Sequence, residues 1–441
     1  MRMGFICIMI TGVLFFVMTS VCYALIVVPD DISTIQAALN TALSGETVYV
    51  KPGVYKEFLT MYISKEYHLV GEDRDTTIID GNLTGIPLQI NTNKNVTVES
   101  LTLQNSSADG ILATLPSQFE ICNCLVTNNN DNGISINHLN YNIQYCEITH
   151  NKSKGIYSLE WSSGEIQDSY IGYNVCAIAL DNFNWADIHN NIIEYNSPGS
   201  CSVLYTLNSF DINVYNNIIR YNNSDYAGII YVSGSGATFT NNFFYRNSSK
   251  GSLGNIVGMT YVINNTIIEN TCTLGGGGIV VYCGEIINNI IAFNSNYGIF
   301  FDSSAHEVQN NNIFGNIPAE IHDLTKDYDD IDEFNREHGA IGNISCDTMF
   351  ISSGDYHITE TSCVVDKGTS YLAPATDLEG DSRPFGAGYD IGADEFIKTF
   401  VPVDEPTIIA VLFIFLGYIV QRLLLTNEGR YENDKRGSNN C

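Results

Sequence analysis

The sequence predicts an all-β chain, a right-handed single-stranded parallel β-helix of about eleven coils with three short strands per coil, opened by a short N-terminal capping helix and followed by a C-terminal transmembrane helix. Three observations predict it. Asparagines recur at Asn105, Asn128, Asn151, Asn174, Asn196, Asn222, Asn247, Asn270, Asn294 and Asn316, spaced 23, 23, 23, 22, 26, 25, 23, 24 and 22 residues apart. An apolar column runs three residues before each anchor from the second onward: Leu125, Ile148, Ile171, Ile193, Ile219, Phe244, Ile267, Ile291 and Ile313. A second amide column stands five before the anchor, where Asn123, Asn191, Asn217, Asn242, Asn265, Asn289 and Asn311 are interrupted by Cys146 and Ser169.

The strand chemistry selects a β-solenoid over helical repeats. Segments are short, rich in Ile, Val, Tyr and Phe, and separated by Asn, Gly and Ser clusters. Gly110-Ile111, Gly133-Ile134, Gly155-Ile156, Gly228-Ile229, Gly278-Ile279 and Gly298-Ile299 mark the start of the next strand after each variable turn. Stacked asparagine amides can bond rung to rung, since each carries an acceptor and two donors, and asparagine tolerates the left-handed bend of a sharp corner. No leucine-rich frame persists and the calcium-binding nonapeptide glycines are absent.

The elements follow in order. Residues 1–24 read as a signal peptide, with Arg2, an apolar run from Phe5 to Val21 and small-residue cleavage after Ala24, so the protein is expected to be exported. Cys22 lacks the context of a lipoprotein signal. Residues 25–95 form the cap and first coils, with Ser33 as the expected N-cap of a helix whose Ile35, Ala38, Leu39 and Ala42 cover the open mouth. The repeats occupy 96–316, a C-terminal module 317–397 and a linker 398–406. Residues 407–425 have the length and composition of a bilayer span, and Arg430, Lys435 and Arg436 in the tail 426–441 place that tail in the cytoplasm and the repeats outside.

A formal charge of −29 argues against nucleic acid and anionic membrane surfaces as partners, because both need clustered Lys and Arg. Twelve cysteines include Cys7 and Cys22 of the signal peptide, and no zinc-like pair of pairs occurs. Cys122, Cys124 and Cys146 fall in equivalent parts of neighbouring coils, where cysteine acts as a small buried hydrophobe or a bridge between rungs; the pairing stays open.

The two flanks carry a family resemblance. From Val28 to Gly81 an Ile-Gln-Ala-Ala helix, a Gly-Glu-Thr-Val-Tyr-Val strand and Lys-Pro-Gly-Val-Tyr-Lys-Glu resemble the opening of pectin-lyase-like right-handed β-helix proteins, pectin methylesterases among them. From Gly342 to Glu395 the chain resembles the C-terminal module of choice-of-anchor Q domain proteins, which are bacterial surface β-helix proteins. Asp347, Asp366, Gly368, Arg383, Pro384, Asp390, Gly392, Ala393 and Glu395 match that pattern, and Cys363 stands where the family has proline. The resemblance implies a β-helix displayed at a bacterial surface. Asp404-Glu405-Pro406 replaces the family's Pro-Glu-Pro sorting signal, which speaks against processing by the matching sortase-like enzyme.

Catalytic motifs of the resembled families do not appear. The Asn-Thr-Asp, Asp-Asp and Gly-His-Gly set of polygalacturonases is missing, as are the paired-Asp, Arg and Gln motifs of pectin methylesterases, so no catalytic residue is assigned. A lyase would need a base beside a neutralised uronate; Arg220, Arg246 and Lys250 are the best basic cluster, and Glu194 and Glu269 beside them suit ordinary outward ion pairs. One residue before the anchors run His150, Tyr173, Tyr195, Tyr221, Arg246, Glu269 and Phe293. His150, Tyr173, Tyr195, Tyr221 and Arg246 are the candidate glycan-binding residues, because aromatic rings displayed along a rod suit the apolar faces of sugars; an ordinary stacked ladder is the structural alternative. The stretch Asp323 to Glu333 is acidic enough for Ca²⁺ but lacks the glycine and spacing of an EF-hand, so a solvated boundary loop is expected, with no metal or other cofactor. Two functions remain: a non-catalytic surface protein binding polysaccharide or an extracellular protein, which the display features favour, and a polysaccharide lyase or glycoside hydrolase with an unfamiliar site.

Overall fold

The computed structural model describes residues 25–398 apart from 63, 183, 198–200, 226–227, 251–255, 274 and 302–305. The signal segment 1–24, the span 407–425 and the tail 426–441 lie outside the described residues. Among the described residues, no helix is long and apolar enough to cross a membrane.

Strands of successive coils pair in parallel at fixed offsets, as in Ile111 opposite Ile134 and Ile134 opposite Ile156. The third strand of each coil builds one sheet of twelve strands, from Gly53–Tyr55 to Asn312–Phe314. The stack therefore has about twelve coils, one more than the repeat count predicts, because the first two, with third strands Gly53–Tyr55 and Thr77–Asp80, precede the first anchor. First and middle strands share a second sheet, and they merge into single longer strands at Ile230–Thr240, Ile256–Ile263 and Ile279–Ile287.

The interior of the third-strand sheet is one continuous column: Ile79, Leu103, Val126, Ile148, Ile171, Ile193, Ile219, Phe244, Ile267, Ile291 and Ile313, all fully buried. Each rung removes a large aliphatic side chain from water against the rungs above and below, worth about 1.5 to 3 kcal/mol per residue. Leu125 does not belong to this column; it pairs with Glu147 on the outer face. The anchor of that coil is Asn129 rather than Asn128, and that of the coil before is Ser106 rather than Asn105. The run Asn128-Asn129-Asn130 conceals a one-residue shift. The same shift makes Cys124, not Asn123, the member of the second column, and a separate one-residue offset after the Asn222 corner makes Ile230, not Ile229, the partner of Leu204.

Two amide ladders line the inside of the corners. In one, Asn129, Asn151, Asn174, Asn196, Asn222, Asn247, Asn270, Asn294 and Asn316 each donate from Nδ2 to the next Oδ1 at 2.9 to 3.3 Å, and Glu320 receives the last bond. In the other, Asn191 through Asn311 repeat the pattern and end on Asn343. The ladder asparagines do not themselves make the left-handed bend. The residue before each one does: φ is 48–58° from His150 to Phe293 in the first corner, and 51–56° at Asn190, Asn216, Asn241, Asn264, Asn288 and Asn310 in the second.

Both ends of the stack are covered. Thr34, not Ser33, caps the helix Ile35–Thr41, because its hydroxyl lies three residues before the Ala37 amide it accepts from; Ile35, Ala38 and Leu39 are buried over the first coil. Gln36 hydrogen-bonds both backbone groups of Thr60, and Lys65 binds the carbonyls of Leu39 and Ala42 at the helix C-terminus. At the other end, the expected loop Asp323 to Glu333 is ordered: Ile321–Asp323 turns back antiparallel onto Lys326–Tyr328, and the helix Ile331–His338 follows. Asp330 caps that helix, and its Ile331 and Phe334 are buried beneath the acidic surface. Acidic composition there reflects one face of a capping element.

Residues 341–396 return along the outside of the third-strand sheet. Phe243, Tyr245, Ile268, Ile290 and Ala292, which point out of the coils, form a second core with Ile358, Val364 and Ile391. The corner asparagines fasten this module: Asn241 donates to Thr376 O, Asn264 to Asp390 O and Gly392 O, Asn288 to Thr369 O, and Asn310 to Lys367 O. Gly392, at φ 110°, lies so close to Ile290 that a Cβ would collide with it. Cys346 and Cys363 form a disulfide within the module, while Cys122, Cys124 and Cys146 are free thiols.

Candidate functional site

The predicted aromatic column exists; His150, Tyr173 and Tyr195 face solvent, while Tyr221 is half-buried against the core of the C-terminal module. Because each member directly precedes an inward ladder asparagine and occupies the left-handed bend, its side chain projects from the corner. Tyr173 and Tyr195 are 47% and 41% exposed. His150 and Tyr173 stack with centroids 4.9 Å apart, Tyr173 and Tyr195 at 5.3 Å, and Tyr195 and Tyr221 at 5.3 Å, with planes within 8–13° of parallel. Such rings cover one another's faces and present their edges and hydroxyls outward. The column is thus a line of hydrogen-bonding edges rather than a series of open ring faces.

Arg246 continues the corner, lies 4.9 Å from the centroid of Tyr245 and pairs with Glu269 at 2.7 Å; Arg220 pairs with Glu194 at 2.6 Å. Both cations are held by carboxylates in the outward ion pairs that the sequence pattern suggests, and such pairs contribute little to stability where exposed. A cleft of about 350 Å³ opens between Glu147, Thr149, His150, Tyr170 and Tyr173. Burial, and after it the charge of Glu194, pushes the Tyr170 phenol up, so it stays protonated and able to donate.

A second aromatic face escaped the sequence reading. Trp161, Trp185 and Phe210 stand in three successive coils, with centroids 6.3 and 6.2 Å apart and planes tilted by 40° and 38°. Trp161 is 57% and Phe210 44% exposed. Beside them, Glu165, Asp187 and Asn213 lie in register on adjacent middle strands, and Asn213 donates to Asp187 at 2.8 Å. A cleft of about 340 Å³ is lined by Ser163, Glu165, Trp185, Asp187, Asp211 and Asn213. A neighbouring cleft of about 380 Å³ shares Asp187 and Asn213 and runs past Tyr215 to Pro374 and Thr376 of the C-terminal module. The readable signal was the spacing: the two tryptophans are 24 residues apart and Phe210 follows 25 later, about one coil each.

The C-terminal module concentrates buried charge. Arg383 and Glu395, neither exposed, pair at 2.9 Å, and Arg383 also donates to the carbonyls of Asp390 and Gly392. Burial pushes Asp390 up to about 7 and Asp394 up to about 6. His357, Glu379 and Asp394 bring ligand-type atoms within 4.8 Å of one another. His357 bridges Asp355 and Glu379; burial alone would lower it, and the Asp355 hydrogen bond and Glu379 charge instead hold it above its ordinary range. Both ring nitrogens of His357 are thus already engaged by carboxylates within the cluster. The motif residues Asp366, Arg383, Asp390 and Glu395 thus hold the module's turns: Asp366 accepts from Ala387 and Gly388, Asp390 from Asp366 and Phe396, and Glu395 from Phe385.

The family described as Right handed beta helix region matches residues 84–244. No curated protein sequence matches the chain. Among solved structures, a mannuronic acid specific polysaccharide family 6 lyase from human gut microbiota is similar at 11% identity and TM-score 0.46, covering 73% of this chain and 91% of that one. Pectate lyase Pel9A is similar at 14% identity and TM-score 0.43, covering 84% and 96%. PfbA, a surface adhesin of Streptococcus pneumoniae, is similar at 13% identity and TM-score 0.34, covering 65% and 86%. Likeness at this level carries no argument about activity.

Proposed function

We propose that the protein is an exported, membrane-anchored β-helix that binds polysaccharide at its outer surface without cleaving it. The observation that carries this reading is the register of exposed aromatic side chains, which recurs from coil to coil along two lines of the surface. Coil-to-coil spacing of about 4.8 Å lets an extended polymer lying along the rod touch several of these side chains at once, and linked weak contacts raise affinity beyond any one of them. The His150, Tyr173, Tyr195, Tyr221 and Arg246 line supports it through hydroxyl and imidazole edges. Cleavage is disfavoured because the cations nearest this line, Arg220 and Arg246, are spent on Glu194 and Glu269. Export by residues 1–24 and anchoring by 407–425 belong to the same proposal and rest on the sequence.

Affinity electrophoresis of the full-length protein through gels containing single polysaccharides tests the reading. Retardation by at least one polymer, with no new reducing ends or unsaturated products after long incubation, is expected. Product release would replace binding with lyase or hydrolase activity, and mobility unchanged by every polymer would remove the polysaccharide reading.

A further inference from the structure

We infer that the groove formed by Trp161, Trp185, Phe210, Glu165, Asp187 and Asn213 binds an uncharged, hydroxyl-rich polysaccharide. This inference rests on the polysaccharide-binding reading and gives it a second location and a ligand class. Three features lead there. First, Trp161, Trp185 and Phe210 are tilted by about 40° to one another and separated by more than 6 Å, so they do not eclipse as the tyrosine column does. Trp161 is 57% and Phe210 44% exposed, so aromatic surface is accessible to the apolar C–H side of a sugar.

Second, the floor is built for hydroxyls. Carboxylates accept hydrogen bonds from neighbouring sugar hydroxyls, and these charge-assisted bonds are the strong ones. Glu165 and Asp187 sit on paired strands directly beside Trp185, with Asp211 at the rim and Asn213 on the next coil. Asn213 orients Asp187 by donating to it, and Gln167 donates to Glu165 at 3.0 Å, so these acceptors are held in place before a ligand arrives.

Third, the charge excludes the alternative polymer. Neither of the two adjoining clefts has a Lys or Arg in its lining, and three carboxylates line the first. A uronic-acid chain would bring its own carboxylates against these at short range with no cation to offset them. The chain's overall charge of −29 adds a long-range repulsion of the same sign. The groove also has a defined length: Pro374 and Thr376 wall its C-terminal end, fastened by the bond from Asn241 to Thr376 O. A polymer entering past Trp161 therefore crosses three or four coils before it meets the module.

The test uses the full-length protein in mild detergent. Binding to dextran, galactomannan and xyloglucan is compared with binding to polygalacturonate and alginate, each with and without Ca²⁺. Parent protein is set beside Trp161→Ala, Trp161→Phe and Asp187→Ala. Trp161 is exposed, so its replacement leaves the coils intact; equal thermal midpoints verify this. Expected are binding to at least one neutral polymer, a loss of about tenfold or more in Trp161→Ala and Asp187→Ala, and retention in Trp161→Phe. Neutral binding unchanged in Trp161→Ala and Asp187→Ala overturns the location but leaves the general reading in place. Binding confined to the uronans, with or without Ca²⁺, overturns the ligand class. No binding to any polymer removes this inference together with the reading beneath it.

Discussion

Replacing Asn222 by leucine breaks one amide ladder at its middle while keeping the shape of the side chain. Asn222 Oδ1 accepts from the backbone N and the Nδ2 of Asn196, both at 3.0 Å, while its own Nδ2 donates to Ile193 O at 2.8 Å and Asn247 Oδ1 at 3.1 Å. Both Asn196 and Asn222 are 1% exposed, so water cannot replace the lost partners. In the variant, Asn196 Nδ2 keeps its bonds to Ile171 O and Glu194 O, and Asn247 Oδ1 keeps the Asn222 amide. The Asn196 backbone N–H keeps nothing. One orphaned buried donor costs about 1 to 3 kcal/mol, and three further lost side-chain bonds cost about 1 each, so the total is about 4 to 6 kcal/mol.

Amide hydrogen exchange read by mass spectrometry suits a solenoid better than a single unfolding midpoint, because coils open locally and nearest neighbours carry most of the coupling. A loss of about 4 to 6 kcal/mol corresponds to exchange accelerated by about three to four orders of magnitude. The acceleration should be confined to peptides between about residues 170 and 250 and should leave the coils before Asn129 unchanged. Acceleration below about fivefold would mean that the ladder adds little beyond the strand pairing, and acceleration spread evenly over the chain would refute the nearest-neighbour account.

Two further outcomes are expected. Ile219→Asp places an unpaired carboxylate between Ile193 and Phe244 in the fully buried column and should lower the circular dichroism melting midpoint more than Asn217→Leu does; equal midpoints would show that this column is not the core. The C-terminal module should tighten in mild acid: Asp390 and Asp394 are raised to about 7 and about 6, so the folded module binds protons that the unfolded chain has lost, and stability falls as pH rises from about 4 to 7. His357, raised above 6.5, adds stability below that value that is lost as pH climbs, with the same sign. From pH 7.5 to 5.5 Asp390 alone contributes on the order of 2 kcal/mol, and proteolysis of 346–396 that is faster at the lower pH would refute the assignment.

The coil repeat was legible because each rung repeats one physical requirement, an aliphatic residue inward and an amide at the corner, at nearly constant spacing. What misled was a run of identical residues. Asn128 and Asn129 satisfy different requirements, a left-handed bend and an inward ladder bond, with the same side chain, and only the pairing of Val126 with Ile148 separates them. The capping hairpin and helix at 321–338 were hidden for a related reason. Their acidic residues face outward, and the burial of Ile331 and Phe334 beneath them depends on contacts outside the local sequence. The path of the module along the coils depends on residues more than 100 positions apart, as in Asn241 with Thr376.

The two corner columns show why the fold is readable and the site is not. Each corner demands a residue that accepts φ near 55°, and beyond that demand the backbone is indifferent to what the side chain does. At Asn241, Asn264, Asn288 and Asn310 the position is filled by amides, which reach outward and bind the carbonyls of the returning module. At His150, Tyr173, Tyr195 and Tyr221 it is filled by rings, at a conformational cost of about 1 to 3 kcal/mol each that stacking at about 0.5 to 1.5 kcal/mol per pair only partly offsets. Asparagine at these four positions would relieve that strain and keep the corner. The ring column therefore adds less to the fold than the amides it displaces would. Tyr221 packs against the module's core, whereas His150, Tyr173 and Tyr195 stand on the open surface before it, and it is there that a role in contact with a partner would be expected.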